Sequence, residues 1–553
     1  MKFIDGALLK QMIISGANNL FNHYPEVDAL NVFPVPDGDT GINMNLAIQS
    51  GAKEIQYRND ASVYEIAKAF SKGLLMGARG NSGVILSQIF RGFAKSIDGK
   101  AQINAEEMAD AFVKGKEVAY KAVMQPVEGT ILTVIREAAD LLREQVTPTM
   151  SIEKAFDILL KEAKESLART PELLPVLKEV GVVDSGGAGL VKVLEGFDSA
   201  LKGNVIEKQM ATSTETKKVS GDAKYPYNVE FVLRLPAEPG KEGKKVFVDK
   251  RVQTVLESRG KSLAFVHEDE ILKVHVHSEN PGSVLSYAQQ FGEFVKVKVE
   301  NTLEKDVDEA KYSFVSEASE EGTKETSKPA EKKEYAIISC CAGEGVEELF
   351  KEFQVDYIVS GGQTMNPSTN DFVEAIEKVN AKTVYILPNN GNIIMAASQA
   401  STVYKGQEVH VRVIPSKTIP QGLAAAMVFN PEVSADENEK DMNDAMTQVK
   451  SGQVTYAIRD TEIDGVQVTK GHYIALFGKK IVTSDPNKIK ATMEMLRTMV
   501  NEESSIIQVI CGEDISTKEQ EEITDKIAEE FPECDLDIRI GKQPVYSFII
   551  GVE

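Results

Sequence analysis

Along the first 206 residues, apolar positions recur every three to four residues. The spacing is carried by "DGALLKQMIISGANNLF", "VYEIAKAFSKGLLMGA", "VILSQIFRGFAKSI", "AEEMADAFVKGKEVAYKAV", "ILTVIREAADLLREQ", "IEKAFDILLKEAKESL" and "GLVKVLEGFDSALK". It gathers apolar side chains into one stripe of a helix, so residues 1–206 are predicted to be all-α. Between these stretches lie the short turns "PDGDTG", "GARGNSG", "PVEGT" and "DSGGAG", where glycine, hydroxyl and carboxylate residues collect. Polar groups at several helix ends predict one composite site at the mouth of a bundle.

The pattern changes further along. In residues 225–315, "YNVEFVLRL", "SLAFVHEDE", "ILKVHVHSE" and "EFVKVKVEN" alternate as strands do, while "VQTVLESRG" and "PGSVLSYAQQFG" read as helices. This gives a small α+β domain in the order βαββαβ. Residues 335–553 open with strand and helix in turn ("YAIISCCAG", "GVEELFKEF", "DYIVSGG", "DFVEAIEKVN", "TVYILPNN"), the pattern of a parallel α/β sheet, and add a β-meander from "TYAIRD" to "HYIALFGKKIVTS". Residues 207–224 and 316–334 are rich in Ser, Thr, Lys and Glu and hold few large apolar side chains. Such segments bury too little surface to offset their ordering entropy, so both are expected to be flexible linkers.

Length and charge narrow the possibilities. A chain of 553 residues is too long for one core and is expected to be multidomain. Its net charge of -22 disfavours nucleic acid as a partner. No apolar stretch approaches the ~20 residues that span a bilayer, and the start "MKFIDGALLKQMIISGANNLF" is unlike a signal peptide, so no integral membrane segment and a cytoplasmic location are expected. Four cysteines, two of them adjacent at Cys340 and Cys341, offer neither a disulfide framework nor a CxxC metal spacing.

The first polar turn lies in "NVFPVPDGDTGINMN". Pro34 and Pro36 keep the backbone extended while Gly38 and Gly41 let it turn, so Asp37 and Asp39 can point to a common centre. Two hard carboxylates suit Mg²⁺, which leaves its other positions to water and phosphate, better than Ca²⁺. The turn also suits a structural role, with an Asp or Thr40 of Asp-Gly-Asp-Thr capping the helix that starts near Ile42. In "GARGNSG", residues 77–83, backbone N–H groups and Ser82 stand at the start of a helix, where the dipole favours an anion. The two turns together are far more specific than either alone.

At this point the chain resembles the nucleotide-binding domain of dihydroxyacetone kinases, in the version found in the ATP-binding subunit of fatty acid kinases. The resemblance is carried by "NVFPVPDGDTGINMN", "GLLMGARGNSGVILSQIFRGF", "PVEGTILTV" and "GVVDSGGAGL", and in the third domain by "SGGQTMNPST", "LPNNGNI", "IPSKTIPQG" and "GKQPVYSFIIGVE". It implies a helical barrel binding ATP with two Mg²⁺ ions, and a separate, DegV-like fatty-acid-binding protein that presents the substrate. Asp37 and Asp39 match the magnesium-binding acids, and Asn31 falls near a third. Thr40 and Asn45 match polar neighbours of the phosphates, Gly80, Asn81, Ser82 and Gly83 the phosphate turn, and Thr130, Asp184, Ser185 and Gly186 the nucleoside end. The implied product is an acyl phosphate, destined for phospholipid synthesis.

A fatty acid carboxylate is already ionised at neutral pH, so the chemistry asks for alignment and charge neutralisation rather than a general base. Arg79, beside the phosphate turn, is a candidate clamp on the transferred group. His275 and His277 share one face of a strand and would offer Zn²⁺ two ligands, with Asn228 standing where related subunits often carry cysteine. The α/β domain, beyond its linker, carries no nucleotide signature and is expected to dock the lipid-carrying partner through "GGQTMNPST" and "LPNNGN". The middle domain is expected to form a homodimer. Two other readings stay open: a kinase for a small hydroxylated substrate such as dihydroxyacetone, and a scaffold that senses nucleotide without turnover.

Overall fold

Most helices of the N-terminal domain start where a short polar side chain accepts a hydrogen bond from the first turn. Asp5 caps α1 (Gly6–Asp28) and Ser62 caps α3 (Val63–Met76). Asn104 and Glu107 form a reciprocal capping box at α5 (Ala105–Ala122). Thr130, Ser151 and Asp184 cap α6 (Ile131–Gln145), α7 (Ile152–Leu173) and α9 (Ser185–Leu201), and α8 (Pro175–Val180) starts on its own proline. The first residues of α2 (Thr40–Ile55) and α4 (Gly80–Ser96) follow Asp39 and Arg79, neither of which caps its helix through its side chain. Those two ends meet at the site.

The structure is a computed structural model that describes residues 1–31, 38–209, 227–236, 245, 247, 249–268, 271–301, 332–362, 365–404, 408–463, 465–478 and 480–553. A short antiparallel ribbon, β1 (Ile4–Asp5) with β2 (Gln102–Ile103), ties the start of the chain to the entry of α5. The core of the helical domain holds the rings of Phe70, Phe90, Phe93, Phe112, Phe156 and Phe197, with neighbouring centroids 5.1–6.5 Å apart. Such aromatic pairs add about 0.5–1.5 kcal/mol each beyond area burial. Helices α1 and α9 approach until a Cβ on Gly196 would lie 2.5 Å from Gly16 Cα, so the contact depends on both glycines.

The middle domain follows the order β3 (Tyr227–Arg234), α10 (Asp249–Arg259), β4 (Gly260–Glu268), β5 (Ile271–Ser278), α11 (Pro281–Ala288) and β6 (Glu293–Asn301). Its antiparallel sheet is ordered β4-β5-β3-β6. Val229, Phe231, Val274 and Val276 pack against Val252, Leu256 and Val284 of the two helices. The cover stops short of the edge: Val295, Val297 and Val299 of β6 are 56%, 43% and 40% exposed.

The third domain opens with a parallel sheet of β7 (Lys333–Cys341), β8 (Tyr357–Ser360), β9 (Ala381–Leu387) and β10 (His410–Val413), ordered β10-β9-β7-β8. Helices α12 (Glu344–Glu352), α13 (Thr369–Val379) and α14 (Ile394–Val403) connect these strands, so the loops before α13 and α14 lie at the strands' carboxyl ends. Ligand loops of open α/β sheets occupy that edge. A six-stranded mixed sheet follows, with Lys450–Tyr456 pairing both Tyr473–Phe477 and Tyr546–Val552. The predicted meander is therefore interrupted by a small hairpin, Thr461–Ile463 with Val466–Val468. Cys340 and Cys341 are buried, and burial pushes the Cys341 thiol up to about 12, as expected for packing residues.

One expectation is corrected. The α/β domain does not stand apart on a linker: Met1–Met210 and Ala330–Glu553 form a single compact unit, and Ala211–Pro329 another. Ala78 and Val84 of the helical domain share a core with Phe372, Ile386, Ile393 and Ala397. Strand β7 also begins at Lys333, within the stretch read as linker, and Asn22 of α1 holds the backbone of Glu207 and Gln209 at 3.0 and 2.6 Å. The rest of both linkers lies outside the described residues.

Candidate functional site

Helix α2 begins against an acid that the motif does not contain. Asp28, the last residue of α1, accepts hydrogen bonds from the N–H groups of Gly41 at 2.6 Å and Ile42 at 3.2 Å, which caps α2 from outside. Burial pushes its carboxyl above the ordinary value, against the pull of these two N–H groups. Gly41 is required because a Cβ there would sit 2.3 Å from Tyr24 O. The cap expected from Asp39 or Thr40 is thus supplied by Asp28, which leaves those side chains available for other contacts.

Asn31 ties two turns together. Its Oδ1 accepts from Thr40 Oγ at 3.2 Å and from Ser185 Oγ at 3.2 Å, joining the starts of α2 and α9. Ser82 Oγ lies 3.5 Å from Thr40 O, and Gly83 packs on the backbone of Asn43, so α4 starts beside α2. Gly80 takes φ +57°, and its neighbours are the amides of Asn43 and Asn366. Asp37 lies outside the described residues.

The other face of this cluster comes from the α/β domain. Asn366 Nδ2 donates to Asp39 Oδ2 at 2.5 Å, and Asn366 O accepts from Arg79 Nη1 at 2.8 Å. Thr369 N donates to Ala78 O at 3.1 Å, and Arg79 pairs with Ser368 in an antiparallel bridge. The Arg79 guanidinium also lies 3.5 Å from Asp371. In this arrangement the candidate clamp holds the domain contact. Asn81 Nδ2 donates to Asn392 Oδ1 at 3.1 Å, and Gln88 Nε2 to Gln399 Oε1 at 2.8 Å.

Among the described residues, three buried side-chain oxygens of these elements have no hydrogen-bond partner: Oδ1 of Asn45, of Asn81 and of Asn366. An unsatisfied buried acceptor costs about 1–3 kcal/mol, and a ligand, cation or water can complete such bonding. Hard oxygens beside the Asp39 carboxylate have the chemistry of a magnesium site, and the uncapped N–H groups of α4 that of a phosphate site.

The remaining predicted residues sit behind this centre. Thr130 Oγ donates to Val127 O at 2.7 Å and caps α6, and Asp184 caps α9 through Gly187 N at 2.6 Å. The two turns meet, since a Cβ on Gly186 would lie 3.3 Å from Ile131 Cβ. Asp184 as a residue keeps partial exposure, but its carboxylate is enclosed, and burial pushes it up to about 6 against the N–H groups of Gly187 and Ile131. His275 and His277 stand two apart on β5, and the register puts His277 opposite Asn228. The His275 side chain is outside the described residues, and among those described no three His, Cys, Asp or Glu gather as a metal site.

Comparison with known proteins fits this architecture. The "DAK2 domain" family matches residues 34–199, and the FakA-like fatty acid kinase family matches residues 224–309 with its middle domain and residues 336–553 with its C-terminal domain. Protein YloV of Bacillus subtilis (strain 168) is 44% identical over 569 residues, covering all of both chains. The chain belongs to the FakA-like fatty acid kinase family. Uncharacterized protein SAUSA300_1119 of Staphylococcus aureus (strain USA300) is also 44% identical, over 100% of this chain and 99% of that one. Among solved structures, a DegV family protein, Cg2579 of Corynebacterium glutamicum, aligns at TM-score 0.31 and 12% identity over 40% of this chain and 97% of its own. The dihydroxyacetone kinase of C. freundii, in complex with AMP-PNP and Mg²⁺, aligns at TM-score 0.28 and 19% identity over 35% of this chain and 34% of its own. As a FakA-like protein, the chain carries kinase-family domains. Among its described residues no helix is long and apolar enough to cross a membrane.

Asp28, Asn43, Asn366 and Asn392 were not singled out by sequence reasoning. Asp28 carried a faint signal, an acid three residues before Asn31. Asn366 and Asn392 lie in loops already suspected of binding, but nothing local to them points to a turn more than 300 residues away.

Proposed function

We propose that this chain is the ATP-binding subunit of a fatty acid kinase. It transfers the γ-phosphoryl group of ATP to a fatty acid carboxylate presented by a separate, DegV-like fatty-acid-binding protein, in the cytoplasm, and yields an acyl phosphate for phospholipid synthesis. The observation that carries the reading is the meeting of Asp39 and the α4 turn at Asn366, with three buried acceptor oxygens that have no partner among the described residues. Asp39, with Asp37 of the same turn and the amide oxygens of Asn45 and Asn366, would hold Mg²⁺, two ions as the family resemblance implies; bound there, the metal would supply charge neutralisation for the phosphates.

In the reaction a carboxylate oxygen forms a bond to the γ-phosphorus as the bond from that phosphorus to the β,γ-bridging oxygen breaks. ADP leaves with the electron pair, and no proton moves. The chain's own contribution is alignment. Gly80 to Gly83 present backbone N–H groups to the phosphates, Ser82 and Thr40 flank them, and Asp184 to Gly186 with Thr130 wall the nucleoside end. The α/β domain closes the site through Asn366; the described residues of loops 361–369 and 387–392, expected to dock the partner, are largely taken up by the helical domain, so the partner would dock beside them.

The edge of the middle domain supports a homodimer. Val297 and Val299 lie in register with Phe231 and Val229, on the face that α10 and α11 cover elsewhere, yet both remain exposed. A second copy would bury that stripe and remove an open edge.

The test is ATP turnover by the full chain with and without a lipid-loaded DegV-like protein. Acyl phosphate should form only with the partner present, and Asp39→Ala should abolish it while unfolding stays cooperative. Turnover of dihydroxyacetone without any partner, or a folded and fully active Asp39→Ala, would refute the reading.

A further inference from the structure

A cavity lies beside the phosphate turn. It is a groove of about 910 Å³ between α4 and α5 on one side and the α/β domain on the other, near the top of the usual range for ligand pockets. Its floor is apolar, built from Val84, Val118, Ile394, Met395 and Met446. Four cations line it: Arg91, Lys95, Lys121 and Lys417. None of the described residues lining it is acidic, although the chain holds 84 acids and a net charge of -22. None of the four cations has an ion pair among the described residues, whereas Lys100, Lys114, Lys116, Arg136, Arg143 and Arg169 elsewhere in the helical domain are each paired with an acid.

The groove has a direction. Asn81, Val84, Gln88, Arg91 and Lys95 follow one another at three- and four-residue steps along one face of α4. At 1.5 Å per residue that face runs about 21 Å, a length suited to an extended acyl chain. Helices α4 and α5 are antiparallel, because Phe93 meets Phe112 at 5.2 Å while Gly115 packs on Ile89. Lys121, in the last turn of α5, therefore stands beside the first turns of α4. Lys417 also lines the adjoining cavity with Asn390, two residues from the Asn392 that holds Asn81. Two cations, Lys121 and Lys417, thus mark the end of the groove nearest the phosphate turn, while Arg91 and Lys95 stand about 15 and 21 Å beyond Asn81 along α4, and the apolar floor lies beside this face.

We propose that this groove binds a single-chain acyl anion, with its carboxylate or phosphate head at Lys121 and Lys417 and its tail on the apolar floor. The kinase subunit would then hold part of the acyl ligand itself. The choice of ligand rests on the kinase reading; the charge pattern does not.

The experiment measures binding of oleate to the full chain by calorimetry below the lipid's micelle threshold, with oleyl phosphate, methyl oleate and an acidic helical peptide as further probes. Oleate and oleyl phosphate should both bind saturably, the first as a substrate-like and the second as a product-like anion, and methyl oleate should not. Lys121→Glu combined with Lys417→Glu should weaken both anions at least tenfold. Both lysines are exposed, and circular dichroism would check the variant's fold. Absence of saturable oleate binding, affinity unchanged by the double reversal, equal binding of methyl oleate, or binding of the acidic peptide in place of oleate would each overturn the proposal. ATP–Mg²⁺ binding, measured separately, separates the outcomes: its absence sinks the kinase reading, and oleate binding stands or falls without it.

Discussion

Replacing Asn366 by aspartate puts the contact between the domains under a test whose sign depends on metal. In the wild type, Asn366 Nδ2 donates to Asp39 Oδ2 at 2.5 Å, and the residue is 2% exposed. Asn366→Asp removes a hydrogen bond to a charged group, worth roughly 1.5–3 kcal/mol. It also sets two carboxylates about 4 Å apart, a repulsion on the order of 4 kcal/mol at an effective dielectric constant of 20. Together these oppose closure by about 6 kcal/mol, roughly four decades in the closing equilibrium. A divalent cation between the two carboxylates would reverse the sign, because the introduced carboxylate then becomes a further oxygen ligand. Hydrogen exchange at Thr369, whose N–H bonds Ala78 O at 3.1 Å, reports the contact directly. Without metal the variant should lose that protection and Mg²⁺ should restore it, while Asn366→Ala should show a smaller loss and no rescue. Unchanged protection in metal-free Asn366→Asp, or equal rescue by K⁺, would refute the reasoning.

The enclosed Asp184 predicts a pH dependence. Its folded pKa, pushed up to about 6, exceeds the unfolded value near 3.8, so the folded state holds the extra proton and stability falls as pH rises between those values. Relative to Asp184→Asn, which cannot ionise, the wild type should lose roughly 2 kcal/mol from pH 4 to pH 7, read as the shift in denaturation midpoint. A parallel pH profile for the two proteins would contradict the burial argument. Gly80→Ala should destabilise the α4 turn by about 1–2 kcal/mol, because φ +57° disfavours a Cβ and that atom would meet Asn43 Nδ2 at 2.7 Å; chemical denaturation checks it. Val297→Asp should turn a dimeric full chain into a monomer in sedimentation, and a wild type that already sediments as a monomer would end the dimer proposal.

What the sequence determined by itself is local. Helical periodicity in α1, α3 to α7 and α9, strand alternation around His275 and His277, and capping residues such as Asn104 and Ser151 are written in neighbouring positions, because helix stripes and caps act over one or two turns. The glycine-bearing turns were legible for the same reason: the chemistry of "DGDTG" and "RGNSG" is compressed into a few residues. Residues 207–224 and 316–334 stand out in composition, but composition does not say where a neighbouring domain comes to rest. Only the tertiary structure decided that the α/β domain lies on the helical one, that Asn366 reaches Asp39 across 327 positions, and that Arg79 faces Asp371. It also decided that Asp28, not Asp39, caps α2. These contacts depend on buried surfaces such as Ala78 and Val84 against Phe372 and Ile393, and apolar burial is non-directional, so no short motif encodes which face meets which.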